Sequence, residues 1–179
     1  IKQLWRIVFE NAAAVTSNES SYYITGPQGG ELAMMMMMMI DISGWQLKHM
    51  LIWAKNNHVL GRCDYHYKHE PILFGWKKNG THKFYGTSSN FSVWAIDKPH
   101  KSDLHPTMKP VELIERAINN STRASELIID FFLGSGSTLI ACEKTGRICY
   151  GMEIDPHYCD VIVKRWEDFT GKKAVLAAG

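Results

Sequence analysis

The stretch from Leu127 to Gly171 constrains the fold more than any other part of the chain. Leu127-Ile128-Ile129 is a continuous apolar run, as expected of a strand covered on both faces, and it ends in Asp130. A loop holding Gly134 and Gly136 follows, then a short predicted helix through Leu139, Ile140 and Ala141 that stops at Gly146. Ile148 to Met152 reads as the next strand and runs into Glu153. Asp155-Pro156 has the form of an N-cap with a first-turn proline. Tyr158, Val161, Ile162, Arg165, Trp166 and Phe169 then recur at helical spacing up to Gly171. Strand, helix, strand, helix in this order requires parallel pairing through a crossover. The predicted fold class is therefore α/β, a mostly parallel Rossmann-like sheet with helices on both faces.

The earlier part of the chain adds an antiparallel component. Leu4 to Ala14 reads as a helix, Ser21 to Thr25 as a short strand ending at Gly26-Pro27, and Glu31 to Ile40 as a helix closed before Gly44. Six consecutive methionines, Met34 to Met39, suit one amphipathic or buried helix, because methionine is a good helix former and a flexible core filler. Leu47 to Ala54 and Ile72 to Trp76 read as strands. Lys77-Lys78-Asn79-Gly80 predicts a hairpin turn into a further strand at His82 to Tyr85. Residues 86–109 look irregular and exposed, and Pro110 opens a helix with Val111, Ile114, Ala117 and Ile118 on one face. With 179 residues, one domain over 1–179 is expected, with 56–104 an inserted basic hairpin and loop region.

Charge is unevenly placed. Residues 46–109 hold ten lysines and arginines against four acids, seven of the eight histidines and three of the six tryptophans. Such a basic, aromatic-rich stretch suits a phosphate backbone; a solvated basic hairpin without a partner has the same composition. Candidate nucleic-acid contacts are Lys55, Arg62, Lys68, Lys77 and Lys78. Cys63, Asp64, His66 and His69 lack the second Cys/His pair of a zinc site, so no metal is expected. The four cysteines form no C-x-x-C pair and three lie in apolar segments, which predicts buried thiols in a reducing cytosol. No apolar run is long enough for a bilayer, and no signal peptide opens the chain.

The glycine loop followed by a helix N-terminus, with a carboxylate at the next strand end, is the logic of a nucleoside site. A dinucleotide loop would have glycine three positions after Gly136, where this chain has Leu139. A ligand with an adenosine and an amino-acid tail but no phosphate fits better than NAD. Upstream runs His105-Pro106-Thr107-Met108-Lys109-Pro110. Together, and in this order, the two runs resemble the amino-methylating DNA methyltransferases, strongest from residue 46 to 173. That resemblance implies S-adenosylmethionine as cofactor, transfer to an exocyclic base amine (adenine N6 ahead of cytosine N4), double-stranded DNA as partner, and a bacterial or phage restriction-modification setting. It assigns Asp130, Phe132, Gly134 and Gly136 to the methionine part of the cofactor, with Ser135 and Ser137 as polar contacts. Glu153 falls to the ribose hydroxyls, Asp155 lies beside the adenine, and His105, Thr107 and Lys109 close over the methionine end. Phe131 stands where many relatives have proline. Tyr65 and Tyr67 are candidates for the wall of a flipped-base pocket.

The order of the motifs is that of the permuted group, whose catalytic half precedes the cofactor half. That group presents the amine with Asp/Asn/Ser-Pro-Pro-aromatic, yet none of the six prolines here adjoins another. The abrupt start at Ile1 favours a chain shown from after that element; a non-catalytic DNA- or partner-binding module is the alternative. No catalytic residue is assigned, and a homodimer stays open.

Overall fold

A computed structural model describes residues 2–58, 64–98 and 108–177, and within it the chain divides into two compact units, 1–97 and 98–179. In the first unit the order is α1 (Lys2–Val15), β1 (Ser21–Thr25), α2 (Gly30–Ser43), β2 (Trp45–Ala54), β3 (His69–Lys77) and β4 (Val93–Ala95). The strands form one sheet in the order β1-β3-β2-β4. β3 lies antiparallel to β1, with Tyr23 opposite Phe74, and antiparallel to β2; β2 and β4 are parallel, with Trp53 opposite Trp94.

Apolar side chains every four residues on α2 explain its seat. Met35 and Met39 are buried with Phe9, Tyr22, Trp45 and Leu73, whereas Met37 is 61% exposed. Gly44 closes the helix in the left-handed conformation at φ 67°. Register in β2 shifts between Leu47 and His49, and Gly75 of β3 lies beside that irregularity. A Cβ at Gly75 would lie 1.8 Å from the Gln46 carbonyl oxygen, so only glycine lets the strands approach here. The Tyr22 hydroxyl donates to that same carbonyl at 2.6 Å, and burial pushes its phenol well above the ordinary range.

The sequence reading departs from the structure at two places. His82 to Tyr85 is not a strand: β3 already has β1 and β2 on its two edges, so the turn closed by Gly80 N–H on Lys77 O (3.0 Å) leads into a loop. β4 lies inside the stretch read as irregular, its one buried side chain, Trp94, too short a pattern to register as alternation. β3 lies within residues 56–104, and it and β2 are the inner strands of this sheet.

The second unit runs α3 (Val111–Ser121), β5 (Leu127–Asp130), α4 (Ser137–Thr145), β6 (Ile148–Gly151) and α5 (Pro156–Thr170). β5 and β6 pair in parallel with α4 as the crossover, Ile128 opposite Cys149. Ile118, Ala141 and Cys142 form a buried cluster joined by Val111, Ile114, Ile128 and Cys149. The predicted apolar face of α3 is therefore the packed one, although Leu113 is also buried. The run of β5 is less covered than expected: Leu127 is 48% exposed, and β5 pairs only with β6 among the described strands. Asp155 caps α5 by accepting from His157 N–H at 2.9 Å, and Pro156 sits in the first turn. No helix among the described residues is long and apolar enough to cross a membrane.

Candidate cofactor site

Between β5 and α4 the chain must turn sharply, and the turn is fastened from three sides. Asp130 holds both its ends: one carboxylate oxygen accepts from Phe132 N–H at 3.0 Å, the other from the Thr138 hydroxyl at 2.6 Å. Gly134 and Gly136 take the left-handed backbone at φ 56° and 82°, which a side chain disfavours. Their surroundings differ. A Cβ on Gly134 would meet nothing within 4 Å, whereas one on Gly136 would press Ile162 at 3.3 Å. Of the two, only Gly134 borders open space; Gly136 is needed for packing on α5.

At the tip of β6, Glu153 reaches back into the same loop. One oxygen accepts from Gly134 N–H at 2.8 Å, the other from Ile154 N–H and Asp155 N–H at 2.8 and 3.0 Å. A carboxylate that accepts from three backbone amides is fixed in place at the end of β6. Phe132 and Ile154, 66% and 96% exposed, add apolar surface on either side of this acid in sequence.

The two serines face the other way. Ser135 and Ser137 are buried and bound to the protein: Arg165 donates to both, and the Ser137 hydroxyl donates to the Lys109 carbonyl at 2.8 Å. Their hydroxyls brace the loop from beneath, and the side these face is set by α5, thirty residues away. Asp155 is likewise engaged as the α5 cap. Lys109 is half-buried, with its carbonyl the acceptor for Ser137. His105 and Thr107 lie outside the described residues, as does Arg62.

The proposed nucleic-acid contacts divide. Lys68 and Lys78 are exposed, as are Tyr65 (86%) and Tyr67 (43%). Lys55 is not available to a phosphate backbone, for its side chain is only 6% exposed and pairs with Glu70 at 3.2 Å. Lys77 donates to the Thr16 carbonyl at 2.5 Å. Two unanticipated groups sit on Trp76: His82 stacks on its ring at 3.6 Å, and the Lys48 ammonium lies 4.9 Å from the ring centre. Among the described residues no group of three metal-ligating side chains converges.

A parallel strand pair joined through a glycine loop, with an acid at the second strand's tip, defines an α/β fold of the nucleoside-binding kind. The family follows from comparison. The family model described as DNA methylase matches residues 3–164, and the chain belongs to that family. It is 28% identical over 134 residues to the type II methyltransferase M.Cfr9I of Citrobacter freundii, covering 68% of this chain and 45% of that protein. The chain spans about half the length of the curated relatives it matches. Among solved structures, the complex of M1.HpyAVI with SAM superposes with a TM-score of 0.77 at 24% identity, covering 89% of this chain and 81% of the other. The cytosine-N4-specific PvuII DNA methyltransferase gives 0.79 at 15% identity, covering 92% and 70%. These likenesses establish the fold.

Proposed function

We propose that this chain carries the cofactor half of a DNA methyltransferase that moves a methyl group from S-adenosylmethionine to one exocyclic amine of a DNA base, adenine N6 in preference to the alternative, cytosine N4. The observation that carries the reading is the Asp130–Gly134–Glu153 cradle in a member of the DNA methylase family.

The residues present fit the cofactor. Glu153 is the acid held at the end of β6 beside the loop, where a ribose diol would be met, and Gly134 leaves open the space that a side chain would fill. Phe132 and Ile154 offer the exposed apolar surface that an adenine ring requires. The N-terminus of α4 and the lysine at 109 suit a carboxylate tail. Bound S-adenosylmethionine supplies an electrophilic methyl on a sulfonium. The chain's own part is to orient that group: Asp130 fixes the loop, the acid at 153 ties it to β6, and no proton transfer is asked of either. DNA is the partner that the exposed Lys68, Lys78, Tyr65 and Tyr67 would meet, in a bacterial restriction-modification system like those of the named relatives.

Calorimetry tests the cofactor reading. S-adenosylmethionine and its demethylated product should bind at one site per chain and NAD should not. Binding of NAD, or of neither methionine-bearing ligand to a folded chain, overturns it.

A further inference from the structure

α5 carries a cation on the face that packs against the cofactor loop. Ile162 lies against Gly136, and Arg165, one turn further along, points the same way. One guanidinium nitrogen of Arg165 donates to the Ser135 carbonyl at 2.9 Å and lies 3.4 Å and 3.3 Å from the hydroxyls of Ser135 and Ser137. The Ser137 hydroxyl in turn donates to the Lys109 carbonyl, so the contacts run from α5 through the loop to the residue that leads into α3.

This is a costly place for a charge. The arginine is half-buried, burial pulls its affinity for a proton down, and among the described residues no carboxylate pairs with it. Its neighbour one turn further on, Asp168, pairs with Lys164 instead. A cation kept without a counter-ion, with its hydrogen bonds directed to one loop, has no need to be arginine for helix packing alone. An apolar side chain would serve α5 better there.

We propose that Arg165 is a positioning residue for the methyl donor: it holds the 134–138 loop in its binding conformation and couples it to the segment at Lys109. The proposal rests on the cofactor reading above. The guanidinium suits the task because its planar donors point in a fixed direction and it keeps its charge when half-buried, whereas a lysine ammonium sits on a flexible stem and gives up its proton more readily there. Pulling on the Ser135 carbonyl also polarises the peptide whose N–H, that of Gly136, closes the turn on Leu133 O at 2.9 Å.

The test uses the whole chain with Arg165→Met, which keeps the stem and removes the donors, and Arg165→Lys, which keeps the charge. Hydrogen exchange of the 133–139 amides without ligand and calorimetry with S-adenosylmethionine are the readouts. Losing hydrogen bonds from a charged donor should speed loop exchange about tenfold and weaken binding by a similar factor in Arg165→Met, with partial recovery in Arg165→Lys. Exchange in β2 and β3 serves as the reference and should not change. Should Arg165→Met fail to fold, Arg165→Lys and Ser137→Ala decide, each loosening the loop to a smaller degree. Loop exchange and affinity both within twofold of the unaltered chain overturn the proposal. If the unaltered chain binds no S-adenosylmethionine, the cofactor reading falls, and loop exchange alone then judges Arg165.

Discussion

Gly75 and Gly134 both resist side chains, yet for different reasons. At Gly75 the obstacle is backbone: a methyl would overlap the Gln46 carbonyl and lie 2.6 Å from the Tyr22 hydroxyl. Gly75→Ala must push β2 and β3 apart and should destabilise the fold by about 1–3 kcal/mol or more, read as a lower denaturation midpoint with unchanged slope. At Gly134 nothing stands in the way, and only the left-handed backbone resists, at about 1–2 kcal/mol. Gly134→Val should therefore leave most of the stability intact and abolish S-adenosylmethionine binding by filling the cradle beside Glu153. Gly136→Ala should do the reverse in emphasis, lowering stability through Ile162 and weakening binding only as far as the loop shifts. Denaturation and calorimetry on the pair separate the two roles. Equal losses of affinity without a difference in stability would show that ligand approach limits both positions.

Elements whose signals are local were legible in the sequence, and those set by distant partners were not. Gly44, Gly146, Gly171 and Asp155-Pro156 mark helix ends through the backbone of one or two residues, and all stand where the chain's punctuation puts them. Whether a strand-like run pairs depends on a free edge elsewhere, which is why His82 to Tyr85 reads as a strand and is none. The direction of the Ser135 and Ser137 hydroxyls was hidden for the same reason. A trace of their partner was visible all the same, since Arg165 falls in the apolar series of α5, an odd position for a solvated cation. α2 gives a direct check of period. Met39 is fully buried and Met37 mostly exposed, so Met39→Ala should cost about 2–5 kcal/mol and Met37→Ala close to nothing. The basic stretch divides in the same manner. Lys68→Ala and Lys78→Ala should each lower the salt dependence of DNA binding by about one unit of slope. Lys55→Ala should leave that slope alone and lower stability instead, because it removes a largely buried ammonium and its ion pair with Glu70. A slope that falls with Lys55→Ala would return that lysine to the DNA surface.

At the scale of the molecule, binding and turnover come apart. The loop, the acid at 153 and the Arg165 brace all lie in the second unit, and the proposed cofactor binding rests on them. Methyl transfer to an exocyclic amine needs more: a side-chain oxygen and a backbone carbonyl to accept from the amine, and an aromatic face for the flipped base. The resemblance assigns these to a Pro-Pro-aromatic tetrapeptide, and no two prolines adjoin anywhere in the 179 residues. A stronger base would not substitute, because the amine has to be oriented and polarised rather than deprotonated. The expected outcome is that these 179 residues bind S-adenosylmethionine and DNA but transfer no methyl group, whereas a polypeptide that also supplies the tetrapeptide does both. Labelled cofactor and duplex DNA, assayed with the chain alone and with a chain that also carries the tetrapeptide, measure the difference directly. Transfer by the chain alone would mean that another residue presents the amine, with the exposed Tyr65 and Tyr67 the first to replace. Binding without transfer in both would instead favour the non-catalytic, DNA- or partner-binding module.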